Sequence, residues 1–178
     1  MRIILTILTV AVVMSSPALA VDDGSTPPPS TETTEKCSGQ KIFDKETQKC
    51  VDADHQSFND DTRYKAVREL AYAGAYDRAL GVIAKADDTS DPRFLNYRGF
   101  IARKTGNMDD AMAFYTAALK QNPDYLLARS YMGQGLIAMG DIDGAKAQLR
   151  EISLRGGRNT WPYFALKQSI RSGPSSGY

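Results

Sequence analysis

The chain has 178 residues, of which 42% are hydrophobic and 24% are charged, and its formal net charge is +1 at pH 7. This is an ordinary globular composition, which excludes collagen-like, strongly disordered and polytopic membrane proteins. A nearly neutral chain also lacks the basic surplus typical of nucleic-acid binding, so we expect no nucleic-acid partner. The length predicts one small domain with appendages at its ends.

The first 20 residues have the pattern of a secretory signal peptide. Arg2 is followed by an apolar run over residues 3–14, and the triplet Ala-Leu-Ala over residues 18–20 supplies a cleavage site. The run has about 12 residues, short of the roughly 20 that a membrane-spanning helix needs, so an uncleaved anchor is the weaker alternative. Cleavage after Ala20 predicts a periplasmic protein that starts at Val21 and has no stable membrane insertion.

The next segment, residues 21–36, is predicted to be a disordered linker. Its stretch DDGSTPPPSTETTEK has no apolar residue beyond three prolines, so it buries too little surface to offset the entropy of ordering it. Residues 21–60 carry nine acidic residues and four lysines, whereas residues 61–178 carry 17 basic and 12 acidic residues. An acidic arm joined to a basic body can fold back on that body or steer the protein toward an acidic ligand, and the sequence leaves both open.

Cys37 and Cys50 are the only cysteines, and an even count in an exported chain predicts one disulfide. The bridge would close a loop of about a dozen residues, which is enough to hold a small hairpin over residues 37–51. The polar stretch 45–47 between two short β-prone runs predicts the turn of that hairpin. Two cysteines and the lone His55 do not make a zinc site, so we expect no metal and no cofactor.

The segment over residues 37–52 resembles part of the peritrophin-like chitin-binding domain. A glycine, an aromatic-aspartate pair and a following cysteine recur at similar spacing, in Gly39, Phe43, Asp44 and Cys50. The further cysteines and exposed aromatic residues of that family are absent from this chain. The resemblance implies glycan binding through Phe43 as one reading of the hairpin; the other is a disulfide-stapled cap or spacer.

A pattern of glycine, any residue, an apolar residue, aspartate, any residue and alanine occurs three times in the chain. It starts at Gly74, Gly106 and Gly140, so its copies follow one another at a nearly constant spacing. The period extends beyond the pattern, since the shift that maps Gly106 onto Gly140 also maps Gly99 onto Gly133. A fixed period of this length indicates stacked helical repeats.

These residues resemble the tetratricopeptide repeat family, whose unit is a helix-turn-helix of about 34 residues. The resemblance assigns repeats to residues 60–91, 92–125 and 126–159, and implies an all-α solenoid of about three repeats behind the disulfide-tied hairpin. Gly106 and Gly140 are predicted to end the first helices in a left-handed conformation, and the aspartates two or three positions later to cap or electrostatically favour the next helix start.

Small residues inside the predicted first helices let the sister helices approach closely. Gly99 and Gly133 are expected to face the sister helix, where Tyr115 and Leu149 fill the space beside them.

Residues 160–171 are predicted to form a C-terminal capping helix, because a repeat array needs its last apolar face covered. Trp161, Phe164 and Leu166 are expected to pack against the last repeat, and residues 172–178 to form a disordered tail.

No combination of residues matches a familiar catalytic site. The chain has one histidine, no serine-histidine-acid set and no phosphate-binding glycine loop, so we expect no catalytic residues and no enzyme activity.

The resemblance implies that function lies on the concave face, which is lined by the first helix of each repeat. An exposed aromatic residue beside arginine and asparagine suits recognition of a peptide backbone or an acidic segment. The alternative is that Phe100 and Tyr72 belong to the packing between repeats. The predicted ligand-binding residues are Tyr64, Arg68, Arg93, Asn96, Phe100, Arg103, Lys104, Ser130 and Gln134.

The sequence therefore predicts a non-enzymatic periplasmic adaptor that binds a peptide or protein segment in its concave groove. Two alternatives stay open: a cell-wall glycan-binding module that uses the hairpin over residues 37–51, and a structural subunit of an envelope assembly. The sequence does not predict an oligomeric state.

Overall fold

The computed structural model describes residues 26–173, and within this range the chain folds into eight α-helices and one two-stranded antiparallel sheet. The predicted signal peptide and the end of the predicted tail lie outside the described residues. No helix within residues 26–173 is long and apolar enough to cross a membrane. The elements are α1 (Glu32–Glu35), β1 (Lys41–Asp44), β2 (Lys49–Asp52), α2 (Asp60–Tyr72), α3 (Tyr76–Ile83), α4 (Pro92–Lys104), α5 (Met108–Gln121), α6 (Leu126–Ala138), α7 (Ile142–Leu154) and α8 (Trp161–Ser172).

Six of the helices form three consecutive helix-turn-helix pairs, α2 with α3, α4 with α5 and α6 with α7. The pairs stack because the first helix of each pair packs on the first helix of the next, α2 on α4 and α4 on α6. Helix α8 packs against both α6 and α7. The predicted all-α helix-turn-helix solenoid with a preceding disulfide hairpin is therefore confirmed.

The turns inside the second and third pairs depend on glycine. Gly106 has a φ of +88° and Gly140 a φ of +85°, a left-handed conformation that other residues adopt only with strain. The residue after each glycine caps the next helix. The side chain of Asn107 accepts a hydrogen bond from the backbone N–H of Asp110, and the carboxylate of Asp141 accepts one from Gly144 at 2.8 Å. The helix caps thus lie closer to the glycines than predicted, whereas Asp109 and Asp143 lie in the first turns of the next helices, where their charge favours the helix start.

The two interior glycines face different partners. A Cβ atom on Gly99 would lie 2.6 Å from Cε1 of Tyr115, so only glycine allows this approach of α4 to its sister helix, as predicted. A Cβ atom on Gly133 would instead lie 2.6 Å from Cδ1 of Leu166 in α8. Leu149 was predicted to fill the space beside Gly133, and the capping helix takes that place because it lies across α6.

Helix α8 covers the last repeat with only one of its faces. Leu166 is completely buried, whereas Phe164 is 52% exposed, so the prediction that Phe164 packs against the repeat is wrong. Residues two positions apart point to nearly opposite sides of an α-helix, and Leu166 occupies the buried side.

The disulfide hairpin covers the other end of the array. Cys37 and Cys50 form the predicted disulfide, and strand β1 pairs with β2. Ile42 of β1 is 4% exposed and belongs to the core formed by α2 and α3. Arg78 of α3 donates a hydrogen bond to the carbonyl of Gly39 at 2.9 Å. The hairpin is thus an N-terminal cap on the first helix pair.

The predicted disordered linker is wrong for its last part. Residues 32–35 form helix α1, and Thr33 is 5% exposed. The short helix is ordered by contacts that local composition does not reveal, because the carboxylate of Glu69 in α2 accepts hydrogen bonds from Thr31 and Thr34.

Candidate concave binding site

Three aromatic side chains, Tyr72, Phe100 and Tyr131, pack together at the base of the concave face, and we call them the aromatic layer. The hydroxyls of Tyr72 in α2 and Tyr131 in α6 share a hydrogen bond that connects the first and third helix pairs. The ring of Phe100 in α4 lies between them, with ring centroids 5.4 Å from Tyr72 and 5.2 Å from Tyr131. Phe100 is 1% exposed, so the expectation of an exposed aromatic at this position is wrong. Phe100 belongs to the packing between repeats because rings from both neighbouring helices cover it.

Tyr131 belongs to this layer but is absent from the predicted ligand-binding residues. The repeat period relates Tyr131 to Tyr97, and the two rings contact each other at a centroid distance of 6.5 Å. That period is the sequence signal from which the aromatic layer could have been predicted.

Four buried polar side chains lie on the inner helices and make up what we call the concave set. Helix α4 contributes Asn96 and Arg103, which are two turns apart and share one face of the helix. Helix α6 contributes Ser130 and Gln134, which are one turn apart. Asn96 is 0% exposed, and the other three are all less than a tenth exposed.

The concave set shares a second property, which is that its polar atoms lack hydrogen-bond partners among the described residues. Both amide atoms of Asn96 and of Gln134 are unpaired, and so is the hydroxyl of Ser130. Nε and one terminal nitrogen of Arg103 are unpaired as well. A buried polar group without a partner costs roughly 1–3 kcal/mol, so four side chains of this kind on two packed helices need an explanation.

Arg103 makes its end of the site cationic. Its guanidinium lies 5.5 Å from the ring centroid of Phe100 and 5.8 Å from that of Tyr131, which holds it against the aromatic layer. Burial raises the pKa of Tyr115 to about 12, and the charge of Arg103 opposes that rise. Partial burial and the charge of Arg103 both lower the pKa of Lys104. No carboxylate within residues 26–173 forms an ion pair with Arg103.

The remaining predicted residues lie on α2 and α4, and three of them, Tyr64, Arg68 and Arg93, contact other parts of the chain. Arg93 forms ion pairs with Asp91 at 2.7 Å and with Asp61 at 2.6 Å, which fasten the start of α4 to the start of α2. Its guanidinium lies 5.0 Å from the ring centroid of Tyr64, whose pKa is raised by burial. Arg68 donates a hydrogen bond to a backbone carbonyl of the arm. Lys104 is exposed at the end of α4.

Three other buried charged side chains are well paired, and we call them the structural set: Arg63, Glu69 and Arg129. Arg63 donates to a backbone carbonyl at 2.8 Å and to the carboxylates of Asp60 and Asp87 at 2.9 Å each. Arg129 donates twice to one backbone carbonyl, at 3.0 and 2.7 Å. The side chains of the structural set form hydrogen bonds to other segments of the chain. They differ in this from the concave set, whose polar atoms lack such partners.

Other kinds of site find little support in the part of the chain that the structure describes. No group of three or more histidine, cysteine or acidic residues within residues 26–173 could hold a metal ion. Beside the hairpin, the ammonium of Lys36 lies 5.5 Å from the ring centroid of Phe43. A glycan that bound through Phe43 would stack on this same ring. The apolar side of the hairpin packs on α2 and α3.

Comparison with known proteins agrees with the helical architecture. Residues 102–170, which span α5 to α8 with the end of α4, match the model of the tetratricopeptide repeat family. No curated protein and no solved structure matches the chain significantly. Tetratricopeptide repeats in general are non-catalytic and mediate protein–protein interactions. Over residues 102–170, the helical array is thus similar to the tetratricopeptide repeat family.

Proposed function

We propose that the chain is an exported, non-enzymatic adaptor that binds an extended peptide or protein segment on its concave face. The observation that carries the proposal is the concave set, four buried polar side chains of α4 and α6 with polar atoms that lack partners among the described residues. Folding leaves their hydrogen bonds unmade at a cost in stability, and a ligand that supplies the missing partners would recover that free energy.

The chemistry of the set suits a polypeptide. The side-chain amides of Asn96 and Gln134 each offer one acceptor and two donors, which match the N–H and C=O groups of an extended backbone. Arg103 offers a planar pair of donors to a carboxylate, and its stacking on Phe100 and Tyr131 limits the entropy lost on binding. We therefore expect an extended ligand that carries an acidic side chain.

Two observations support export to the periplasm. The leader over residues 1–20 has a charged start, a short apolar run and a small-residue cleavage site. Cys37 and Cys50 form a disulfide, and structural disulfides persist mainly in oxidising compartments. The proposed partner is accordingly a protein of the same compartment.

Photo-crosslinking in the native cell tests the proposal. Phe100 is too buried to carry a probe, so the photoreactive residue replaces Lys104, which is exposed beside Arg103. The matched control carries the probe at Lys120, a lysine near the end of the outer helix α5 that is exposed. We expect a discrete protein adduct from position 104 alone. Equal adducts from both positions, or none from position 104, would contradict the proposal.

A further inference from the structure

Helix α8 holds the place that a first helix holds in the array. It packs on α6 and α7, just as α6 packs on α4 and α5. It also keeps the repeat period, which maps Arg129 of α6 onto Tyr163 of α8. Each of the three first helices has a sister helix packed along one side, whereas no helix follows α8 within residues 26–173. Helix α8 therefore lacks a sister helix among the described residues.

Tyr163 marks the side of α8 that a sister helix would contact. In the third pair, Arg129 donates a hydrogen bond to the side chain of Gln148 in the sister helix α7, at 3.1 Å. Residues one repeat period apart take equivalent places in a stacked array, so Tyr163 faces the place of a sister helix. Its side chain is half-buried and packs against the core to which Ile152 and Leu166 belong. The side chain is therefore only partly covered.

A groove with a volume of about 340 Å³ lies between α7 and α8 beside Tyr163. Leu149 and Tyr163 form its floor, since both pack on the same core. Leu154 lies at its edge and is 78% exposed. The ring of Phe164, which is 52% exposed, contacts that of Tyr163 at a centroid distance of 5.8 Å. Adjoining exposed apolar side chains are typical of protein-binding surfaces, whereas single ones are common on any surface. The lining residues, from α7, α8 and the link between them, are Leu149, Arg150, Ser153, Leu154, Arg158 and Tyr163.

The groove also carries positive charge that the described chain leaves unpaired. Arg158 donates one hydrogen bond, from Nε to the hydroxyl of Ser153 at 2.6 Å, which leaves its two terminal nitrogens without a partner among the described residues. Arg150 forms no ion pair with a carboxylate within residues 26–173. Residues 152–173 include four basic residues and no acidic one. An apolar floor lined by two unpaired guanidinium groups favours a ligand that is both apolar and acidic.

We propose that the groove between α7 and α8 binds an amphipathic, acidic helix of a partner protein. Apolar side chains of that helix fill the groove over Leu149 and Tyr163, and its carboxylates pair with Arg150 and Arg158. A helix fits because a helix packs along the corresponding side of α2, α4 and α6. Helices that dock in grooves present apolar residues at positions i, i+3, i+4 and i+7, which form one stripe. The groove shares no residue with the concave set, so the inference goes beyond the proposed function.

The recessed floor favours a protein helix over a membrane surface. Leu149 and Tyr163 are half-buried, so side chains that project from a helix can reach them. A bilayer surface takes up mainly protruding apolar groups such as Leu154. Membrane contact is therefore an outcome that the test has to separate from helix binding.

Selection of helical peptides tests the inference. A displayed library of peptides of about 16 residues, long enough to form several helical turns, has a fixed leucine stripe and flanking positions randomised among glutamate, glutamine and lysine. It is selected on the purified chain from Val21 to Tyr178. We expect the enriched peptides to carry glutamate at the flanking positions. Fluorescence anisotropy should show roughly tenfold weaker binding of such a peptide to the double variant Arg150→Gln, Arg158→Gln, and to Leu154→Ser.

Matched controls alter the same kinds of side chain elsewhere. The double variant Lys49→Gln, Lys120→Gln removes two exposed positive charges. Met139→Ser replaces another exposed apolar side chain, at the end of α6. Both controls should bind the peptide as the unaltered chain does. Every altered residue in these variants is exposed, so we expect all of them to fold.

No enrichment, enriched peptides without glutamate, or equal binding by the groove variants and their controls would overturn the inference. Binding to phosphatidylglycerol vesicles that Leu154→Ser abolishes, with no peptide enriched, would overturn it as well, because the surface would then be a membrane contact. A dimer that sedimentation detects in the unaltered chain but not in Leu154→Ser would assign the groove to a second copy and likewise overturn it.

Discussion

The structural set and the concave set are both buried and polar, yet they differ in pairing. Arg63 and Glu69 lie where α2 meets the hairpin, the arm and the link between α3 and α4, and described neighbours pair them. Asn96 and Gln134 lie on the inner face of α4 and α6, where neither amide has a described partner. Burial with pairing indicates a side chain that holds segments together, whereas a buried polar side chain without a partner needs another explanation, for which we propose a ligand.

The largest expected effect tests the structural set. Arg63→Met removes three hydrogen bonds and leaves Asp60 and the carbonyl of Ala53 without this partner. We expect the free energy of unfolding to fall by about 3 kcal/mol. This is the lower end of the range for breaking a buried ion pair, because one of the two partners, Asp87, is exposed. Urea denaturation measures it.

The control for this variant is Arg150→Met, which alters an exposed arginine of α7 and should change the free energy of unfolding by less than about 0.5 kcal/mol. Equal losses in Arg63→Met and Arg150→Met would remove the basis for calling Arg63 structural.

A smaller effect is expected at the anchor of the arm. Glu69→Gln keeps the shape of the side chain but removes the charge that accepts hydrogen bonds from Thr31 and Thr34. We expect a loss of about 1 to 3 kcal/mol in urea denaturation, together with faster proteolysis within residues 26–36. Glu35→Gln, an exposed carboxylate of the same arm, should behave as the unaltered chain. An unchanged proteolysis rate in Glu69→Gln would show that the anchor does not hold the arm.

The smallest expected effect is in the concave set. Asn96→Leu replaces an unpaired amide by an apolar group of similar size, so we expect the free energy of unfolding to change by less than about 0.5 kcal/mol or to rise by up to about 1 kcal/mol. The comparison is Asn107→Ala, which removes a paired asparagine that caps α5 and should cost about 1 kcal/mol. A loss of several kcal/mol in Asn96→Leu would place Asn96 in the structural set.

Local sequence patterns predicted the array well because its turns depend on single residues. The left-handed Gly106 and Gly140, the close approach at Gly99 and the Cys37–Cys50 bridge all follow from residue type and period. These features need no knowledge of distant contacts. That explains why the helix pairs could be predicted before any tertiary structure was considered.

Features that depend on distant segments could not be predicted in the same way. Helix α1 has a polar composition, and it is ordered by Glu69, which lies beyond the whole hairpin in α2. Phe100 has the position of a groove residue, but Tyr72 and Tyr131 from two other helices bury it. Likewise, Leu166 comes from beyond the repeats to meet Gly133. The sequence therefore predicted residues on the first helices of the repeats without their burial being foreseen.

The most direct test of the concave site measures stability and binding in one variant. Gln134→Met is made in the chain that carries the photoreactive residue at position 104, and the free energy of unfolding and the adduct yield in cells are both determined. We expect unchanged or higher stability with at least a tenfold loss of adduct, because the variant removes unpaired polar atoms that only a ligand would use. A loss of stability with the adduct retained would contradict the account.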